Sequence, residues 1–238
     1  MRDRLCKCFS LRSTKHNSIP KIHSEEQDTE CDDWKRLLDL IESAAEEEVE
    51  EFAPLRDLTL EERLKIITLP PTIAKLKTVK KLHLYGSYLV RIPPEIGEME
   101  SLSEFIPYTS YLLHWFPYEI TRCKNLKSSI VSTRALYGNY KYRPPFPDLH
   151  QTQNLAAYSL ITPRECSICR AELNPSNVYR RWISLRVATD VLPLLVNACS
   201  IACLESLPPT PDGYVSGSHT GGYRIQQPSL SYRKKRKK

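Results

Sequence analysis

The feature that most constrains this chain is an eight-residue pattern of apolar residues and prolines that occurs three times. The copies read LPPTIAKL at residues 69–76, IPPEIGEM at residues 92–99 and FPYEITRC at residues 116–123. They are offset by 23 and 24 residues. A second pattern, apolar-x-x-apolar-x-apolar, follows each copy at residues 79–84, 102–107 and 126–131, and it weakens along the chain. A short strand followed by a proline-bounded turn at this period indicates a repeat architecture.

The three copies resemble the LPxxIxxL type of leucine-rich repeat. That resemblance implies a short curved solenoid, because a single unit cannot bury its apolar face and must stack on its neighbours. Two features depart from the family. The asparagine that usually closes the strand turn is replaced by Ser87, Ser110 and Arg134, and Pro107 falls on an inward strand position. Since proline has no N–H for a sheet ladder, we expect a short strand there.

The resemblance also implies a concave sheet surface, which commonly binds partners in this family. The side chains between the inward apolar positions should stand on that surface. Those predicted to form one amphipathic patch are His83, Tyr85, Ile106, Tyr108 and Ile130. Neighbouring strands place such side chains next to one another. Clustered tyrosine and exposed isoleucine are typical of a contact surface. We therefore expect the patch to bind another protein.

The length and composition limit the number of domains. A chain of 238 residues with 41% hydrophobic content can hold one larger and one small core. It has no apolar run long enough to span a bilayer, and its first residues lack the apolar centre of a signal peptide. We expect a cytoplasmic protein, in which its eight cysteines are thiols or metal ligands rather than disulfides.

The expected fold class is α/β, with a helical cap, a short leucine-rich-repeat solenoid and a small C-terminal α+β module that contains four of the cysteines. Residues 1–30 are polar and are predicted to be disordered. Residues 31–68 are predicted to cap the repeats, which occupy residues 69–150. The C-terminal module is predicted to span residues 151–210, and residues 211–238 are predicted to form a disordered basic tail.

The predicted cap contains two helices. Apolar residues recur at helical spacing after Asp32 or Asp33, either of which suits an N-cap: Trp34, Leu37, Leu38, Ile41, Ala44 and Ala45. Thr59 and Glu62 have the spacing of a capping box that opens a second helix. A competing interpretation places residues 55–60 as an additional repeat strand, and the sequence leaves both open.

The repeat pattern ends at residues 137–147, which contain four aromatic residues and three prolines. Proline fixes the backbone, so the composition predicts an extended loop. Two interpretations remain open: the loop seals the end of the solenoid, or it binds a ligand.

Four cysteines follow in two pairs with ligand spacing. Cys166 and Cys169 form a C-x2-C knuckle, and Cys199 and Cys203 form a C-x3-C pair. Residues 178–196 between them are rich in β-branched and aromatic residues and predict a β-hairpin with a turn at residues 189–190. A short helix is expected at residues 200–207. This order resembles a treble-clef zinc site.

The resemblance implies one structural Zn²⁺ held by four thiolates, without which so small a segment lacks the core to fold. The alternative is four free cysteines or a redox pair. The C-x2-C pair also resembles the opening of a RING finger. That family needs eight ligands, and neither His150 nor His219 stands where the missing ones would fall, which argues against RING-type ligase activity.

The net charge of +6 is located in the last six residues, 233–238, which are all Lys or Arg. The remainder holds 28 basic and 28 acidic residues and is neutral. The tail suits nucleic acid or another acidic surface. No glycine-rich phosphate loop, HExxH or GxSxG motif is present. We therefore expect a non-enzymatic adaptor that binds another protein; the alternative is a nucleic-acid-binding protein that uses the zinc module and the tail.

Overall fold

The computed structural model describes residues 22–23, 25–150, 164–174 and 176–229. The chain is a mixed α/β protein with one parallel sheet, one mixed sheet and few helices. The helices are α1 (Asp32–Glu46), α2 (Leu60–Lys65) and α3 (Ile201–Glu205). The strands are β1 (Glu51–Phe52), β2 (Lys81–His83), β3 (Glu104–Ile106), β4 (Phe116–Pro117), β5 (Ser128–Ser129), β6 (Tyr179–Val187) and β7 (Asp190–Ala198). The basic residues 233–238 lie outside the described residues.

The first sheet is parallel, with the strand order β1-β2-β3-β5. Its register pairs Lys81 with Glu104 and Glu104 with Ser128, so positions one sequence period apart lie side by side. The connections between strands pass through 3₁₀ helices at Pro71–Lys75, Pro94–Glu98 and Tyr118–Arg122. Each 3₁₀ helix begins immediately after a proline, whose fixed φ suits the first turn of a helix. The strand β3 ends just before Pro107, as the missing N–H requires.

Equivalent positions of the three copies form continuous buried rows. The rows are Leu69, Ile92 and Phe116; Ile73, Ile96 and Ile120; and Leu76, Met99 and Cys123. The copies approach one another closely, because a Cβ at Gly97 would lie 2.6 Å from the backbone oxygen of Glu119. A side chain at position 97 would therefore force the second and third copies apart.

The helix α1 buries Trp34, Leu37 and Ile41 against the first 3₁₀ helix region, as its apolar spacing predicts. Its N-cap is Cys31 and not Asp32 or Asp33, which instead occupy the first turn. That placement is favourable because carboxylates stabilise the positive N-terminal end of the helix dipole. The capping box of α2 is confirmed, since Thr59 and Glu62 exchange both hydrogen bonds. The strand that precedes the first copy is β1, at residues 51–52. The competing interpretation of residues 55–60 as a strand is wrong, because residues 54–56 form a 3₁₀ turn and α2 begins at Leu60.

The second sheet has the order β4-β7-β6. The predicted hairpin is confirmed, with β6 and β7 antiparallel over nine residues each. The connection is at residues 188–189, one residue before the predicted turn, because Asp190 already pairs with Val187. In sequence, β4 lies between β3 and β5 of the parallel sheet. It nevertheless pairs in parallel with β7 of the second sheet, where Phe116 lies opposite Leu194. One hydrophobic cluster accordingly runs from α1 through the parallel sheet to α3.

Two segments predicted to be disordered are packed in their described parts. At the N-terminus, Ile22 and His23 are buried, and the buried Arg91 donates to the backbone carbonyls of His23 and Glu25. At the C-terminus, Tyr214 and Val215 are buried, and His219 exchanges backbone hydrogen bonds with Trp182. The prediction of disorder rested on composition, which does not show these contacts because they involve residues distant in the chain. Within the described residues, no helix is both long and apolar enough to cross a membrane.

Candidate metal centre

The first cysteine pair lies on a tight turn that is anchored to the hairpin. The Arg170 N–H donates to the Cys166 carbonyl over 3.1 Å, and Arg170 closes the turn with a φ of 62°, in the left-handed region. The Ser167 N–H donates to the Asn197 carbonyl over 2.8 Å, and the Asn197 N–H donates back to the Ser167 hydroxyl over 2.9 Å. The turn is thereby fixed beside the end of β7.

The second pair joins the end of β7 to α3. Cys199 follows the last residue of β7, and Cys203 lies within α3. Ser200 is the N-cap of that helix, and its hydroxyl accepts from the Cys203 N–H over 3.2 Å. The N-cap therefore sets the orientation of the first helical turn, which carries the fourth thiol.

The four thiols converge, as the sequence predicts. The Sγ atoms of Cys166, Cys169, Cys199 and Cys203 all lie within 4.8 Å of one another. Cys169 and Cys199 are separated by 3.5 Å and Cys199 and Cys203 by 3.7 Å. Four thiolates at a Zn–S distance of about 2.3 Å would form a tetrahedron with S···S edges of about 3.8 Å. The observed cluster is compatible with a single metal ion such as Zn²⁺.

The ionisation of the thiols also fits a bound cation. Burial acts to raise the pKa of Cys166, but N–H donors from Cys169, Ile168 and Cys199 outweigh it and lower the pKa to about 7. Hydrogen bonds with the Cys169 and Cys203 thiols raise the pKa of Cys199 to about 12. One thiolate thus disfavours ionisation of its neighbours in the absence of a metal. A divalent cation would offset the repulsion between the thiolates, since it binds the deprotonated form of each ligand.

The cysteine cluster is attached to the repeat region by a polar bridge that sequence reasoning missed. Arg122 donates to the backbone carbonyls of Cys166 and Ser167 over 3.2 and 3.3 Å. Glu98 lies between Arg122 and Arg170, at 3.5 and 3.4 Å from their guanidinium nitrogens. A signal was present in the sequence, because Lys75, Glu98 and Arg122 occupy one repeat position with alternating charge. Stacked copies bring such charges together.

The predicted partner-binding residues are brought together on one face of the parallel sheet. His83 and Ile106 are paired in register on β2 and β3, and both are half-buried. Tyr85 and Tyr108 follow these strands with exposures of 60% and 46%, and their ring centroids are 6.0 Å apart. Ile130, after β5, is 46% exposed. The His83 Nε2 lies 3.5 Å from the Glu51 carboxylate.

The backbone that carries the two tyrosines is fixed by buried hydroxyls. The Ser87 hydroxyl donates to the Ser110 hydroxyl over 2.6 Å, and the Ser110 hydroxyl donates to the Leu84 carbonyl over 3.0 Å. Ser87 and Ser110 stand 23 residues apart, at the same position of two neighbouring copies of the sequence pattern. Their hydroxyls therefore form a direct hydrogen bond between these two copies.

The sequence was compared with known protein families and proteins. Neither a scan against protein-family models nor a search of curated proteins found a match to this chain.

Proposed function

We propose that this chain is a non-enzymatic adaptor of the leucine-rich-repeat class, stabilised by one structural Zn²⁺, that binds another protein in the cytoplasm. The solenoid assignment rests on the parallel strands at a period of 23 to 24 residues and on the 3₁₀ helices that connect them. These are the parts that a stacked repeat of this length requires.

The zinc assignment is supported by the size of the thiol cluster and by its order of elements. A turn with two cysteines, a hairpin, and a helix whose first turn carries the fourth ligand form the arrangement of a treble clef. Because all four positions of the tetrahedron are occupied by protein ligands, the ion has no open site for a substrate. The role assigned to it is therefore structural.

The observation that carries the binding function is the exposed tyrosine pair on the sheet face. Tyr85 and Tyr108 lie 6.0 Å apart at equivalent repeat positions and remain largely exposed. Tyrosine loses little conformational entropy on binding and offers both an apolar ring and a hydrogen-bonding hydroxyl. The bond between the Ser87 and Ser110 hydroxyls joins the two chain segments that carry the tyrosines before any partner binds, which reduces the ordering cost of association.

The test is affinity capture with the Tyr85→Ala/Tyr108→Ala double variant, with captured proteins quantified by mass spectrometry. Wild type and the Tyr223→Ala control, which removes an exposed tyrosine outside the sheet, should retain the same partner. The double variant should lose it at an unchanged melting temperature, since both rings are exposed. Equal capture by all three proteins would refute the assignment of this face.

A further inference from the structure

Glu119 occupies a repeat position that is fully buried in one of the three copies. The equivalent residues of the first and second copies are Thr72 and Glu95. Both of these remain partly exposed, whereas Glu119 is 1% exposed. The same position of the repeat therefore has two environments, and the difference arises from what packs on the third copy.

Glu119 is enclosed between the second copy and the cysteine turn, which comprises residues 166–170. Arg122, on the same 3₁₀ helix as Glu119, donates to the Cys166 and Ser167 carbonyls of this turn. The Ser167 side chain faces the Glu119 carboxyl group. On the other side, a Cβ at Gly97 would lie 3.0 Å from the Glu119 Cβ. The cysteine turn thus covers a side chain that is half-exposed in the second copy.

The buried carboxyl group has no partner that would stabilise a negative charge. Within the part of the chain that the structure describes, neither carboxyl oxygen has a hydrogen bond of ordinary geometry, and the same holds for the buried Asn197 Oδ1. The Asn197 N–H donates to the Ser167 hydroxyl, so this second acceptor belongs to the residue that anchors the turn. The guanidinium of Arg122 lies 3.5 Å from the Glu98 carboxylate instead. A buried charge without a partner is costly.

The groups around Glu119 act on its ionisation in both directions. Burial raises the pKa of Glu119, and the Glu95 carboxylate acts in the same direction. The Ser167 hydroxyl, the N–H of Glu119 itself and the positive charge of Arg122 act to lower this pKa, but burial outweighs them. The other charged or titratable groups on the elements packed here are Glu98, Tyr118, Cys166, Cys169, Arg170 and, on β7, Asp190.

We propose that the contact between the cysteine turn and the third copy is controlled by a proton on Glu119: it is closed while the carboxyl group is neutral and opens when the group ionises. The proton passes to solvent, and the carboxylate becomes hydrated once the turn moves away. The half-exposed Glu95 has the environment that Glu119 would acquire in the open form. The pairing of Phe116 with Leu194 holds the hairpin in place, so that only the turn moves.

The expected response is a loss of the contact as the pH rises. The pKa of Glu119 is higher in the closed form than the ordinary value of 4.5, so the closed form binds the proton more tightly. The contact is therefore fully stable below pH 4.5 and is weakened as the pH rises through the raised value. Because one proton is involved, each pH unit changes the ratio of closed to open forms by at most about tenfold. A buried neutral histidine responds in the opposite direction.

The first experiment follows the side-chain carboxyl carbon of Glu119 by ¹³C NMR in the full-length protein, with the resonance assigned by its absence in Glu119→Gln. Its titration should occur at a higher pH than that of Glu95. Nuclear Overhauser contacts between Ser167 and the side chain of residue 119 should be present at about pH 5 in both proteins, and at about pH 8 they should persist only in Glu119→Gln. Titration of Glu119 at the same pH as Glu95 would overturn the proposal. Contacts that persist in wild type after Glu119 has ionised would overturn it as well.

The second experiment compares urea titrations of wild type, Glu119→Gln and Glu95→Gln at about pH 5 and about pH 7. Glutamine keeps the shape of the neutral carboxyl group and cannot ionise. The unfolding constant of wild type, relative to that of Glu119→Gln, should rise at least about tenfold over this range. Glu95→Gln is the matched control at the equivalent position and should follow wild type. All three proteins share the same cysteines and histidines, so the titration of those groups cancels in the comparison. An equal pH dependence of wild type and Glu119→Gln would refute the control by Glu119.

Discussion

The parallel sheet and the C-terminal hairpin stabilise themselves in different ways. The strands β1, β2, β3 and β5 have two or three residues each, whereas β6 and β7 have nine. The short strands are supported by apolar rows that run through every copy, so each contact is repeated. The long hairpin ends at a cluster of four thiols that occurs once. The first region thus depends on repeated contacts, whereas the hairpin shares the same hydrophobic cluster and has in addition one site that occurs once.

The two regions are nevertheless joined at both ends of the hairpin. At one end, Arg122 bonds to the cysteine turn. At the other, the Thr189 hydroxyl donates to the Ser129 carbonyl over 2.7 Å. The parallel sheet and the hairpin therefore differ in what stabilises them, although they are in direct contact. A perturbation in one region should reach the other through these contacts.

Removal of one thiol should have the largest effect, because metal binding carries the folding energy of such modules, about 10 to 16 kcal/mol in isolated zinc-finger peptides. We expect wild type to contain one zinc per chain by elemental analysis and Cys203→Ser to contain none. Hydrogen exchange should accelerate most at the Ser167 and Asn197 amides. Cys31→Ser removes a cysteine outside the cluster and should keep the metal. Full metal content in Cys203→Ser would show that the cluster is not a four-cysteine site.

A cavity in the parallel sheet should cost less. Leu82 is fully buried on β2, so Leu82→Ala should reduce the free energy of unfolding by about 3 kcal/mol, measured by urea titration. Leu60→Ala removes the same atoms from a side chain that is 61% exposed and should change it by less than about 0.5 kcal/mol. Zinc content should be unchanged in both variants. Loss of zinc from Leu82→Ala would mean that metal binding at the cysteine cluster requires an intact parallel sheet.

Acid should weaken the aromatic cluster that packs behind the hairpin. Burial lowers the pKa of His114 from 6.5 to about 3 and that of His219 to about 4. The folded-state values lie below the unfolded ones, so the stability is complete above pH 6.5 and is lost as the pH falls below it. His114 alone should account for about 2 kcal/mol between pH 7 and pH 5.

The pH measurement is a series of urea titrations on wild type and His114→Gln. The variant should show a smaller fall in stability over this range, whatever its absolute stability. His150→Gln, which changes an exposed histidine, should follow wild type. An identical pH dependence in all three proteins would show that His114 is not held neutral.

The smallest predicted effect concerns the contact at the tip of the hairpin. The Ser129 hydroxyl lies 3.2 Å from the Val187 carbonyl and 3.1 Å from the Asp190 carboxylate. Ser129→Ala should cost about 1 kcal/mol, the net value of such a hydrogen bond. Ser128→Ala, one residue earlier in β5, should be close to neutral. In a double-mutant cycle with Thr189→Ala the two losses should not add, because the residues share this contact.

The sequence was most informative where its pattern is local. The apolar rows, the hairpin, the capping box at Thr59 and the convergence of the four cysteines follow from spacing, local composition and the order of the elements. The parallel pairing of Phe116 with Leu194 does not, because many apolar strands could occupy that place equally well. The bonds from Arg91 to the N-terminal segment were missed for the same reason. A buried arginine in a loop has no periodic pattern that identifies its partner.

The pairing of β4 with β7 has a consequence for the order of folding. Phe116 emerges from the ribosome 78 residues before Leu194, its partner in register. At about 5 to 20 residues per second, several seconds pass before that partner is synthesised. The first copies can stack as they appear, because their contacts are local. The third copy must wait with an apolar edge uncovered, and this interval is when the nascent chain is most exposed to misassembly and to recognition by chaperones.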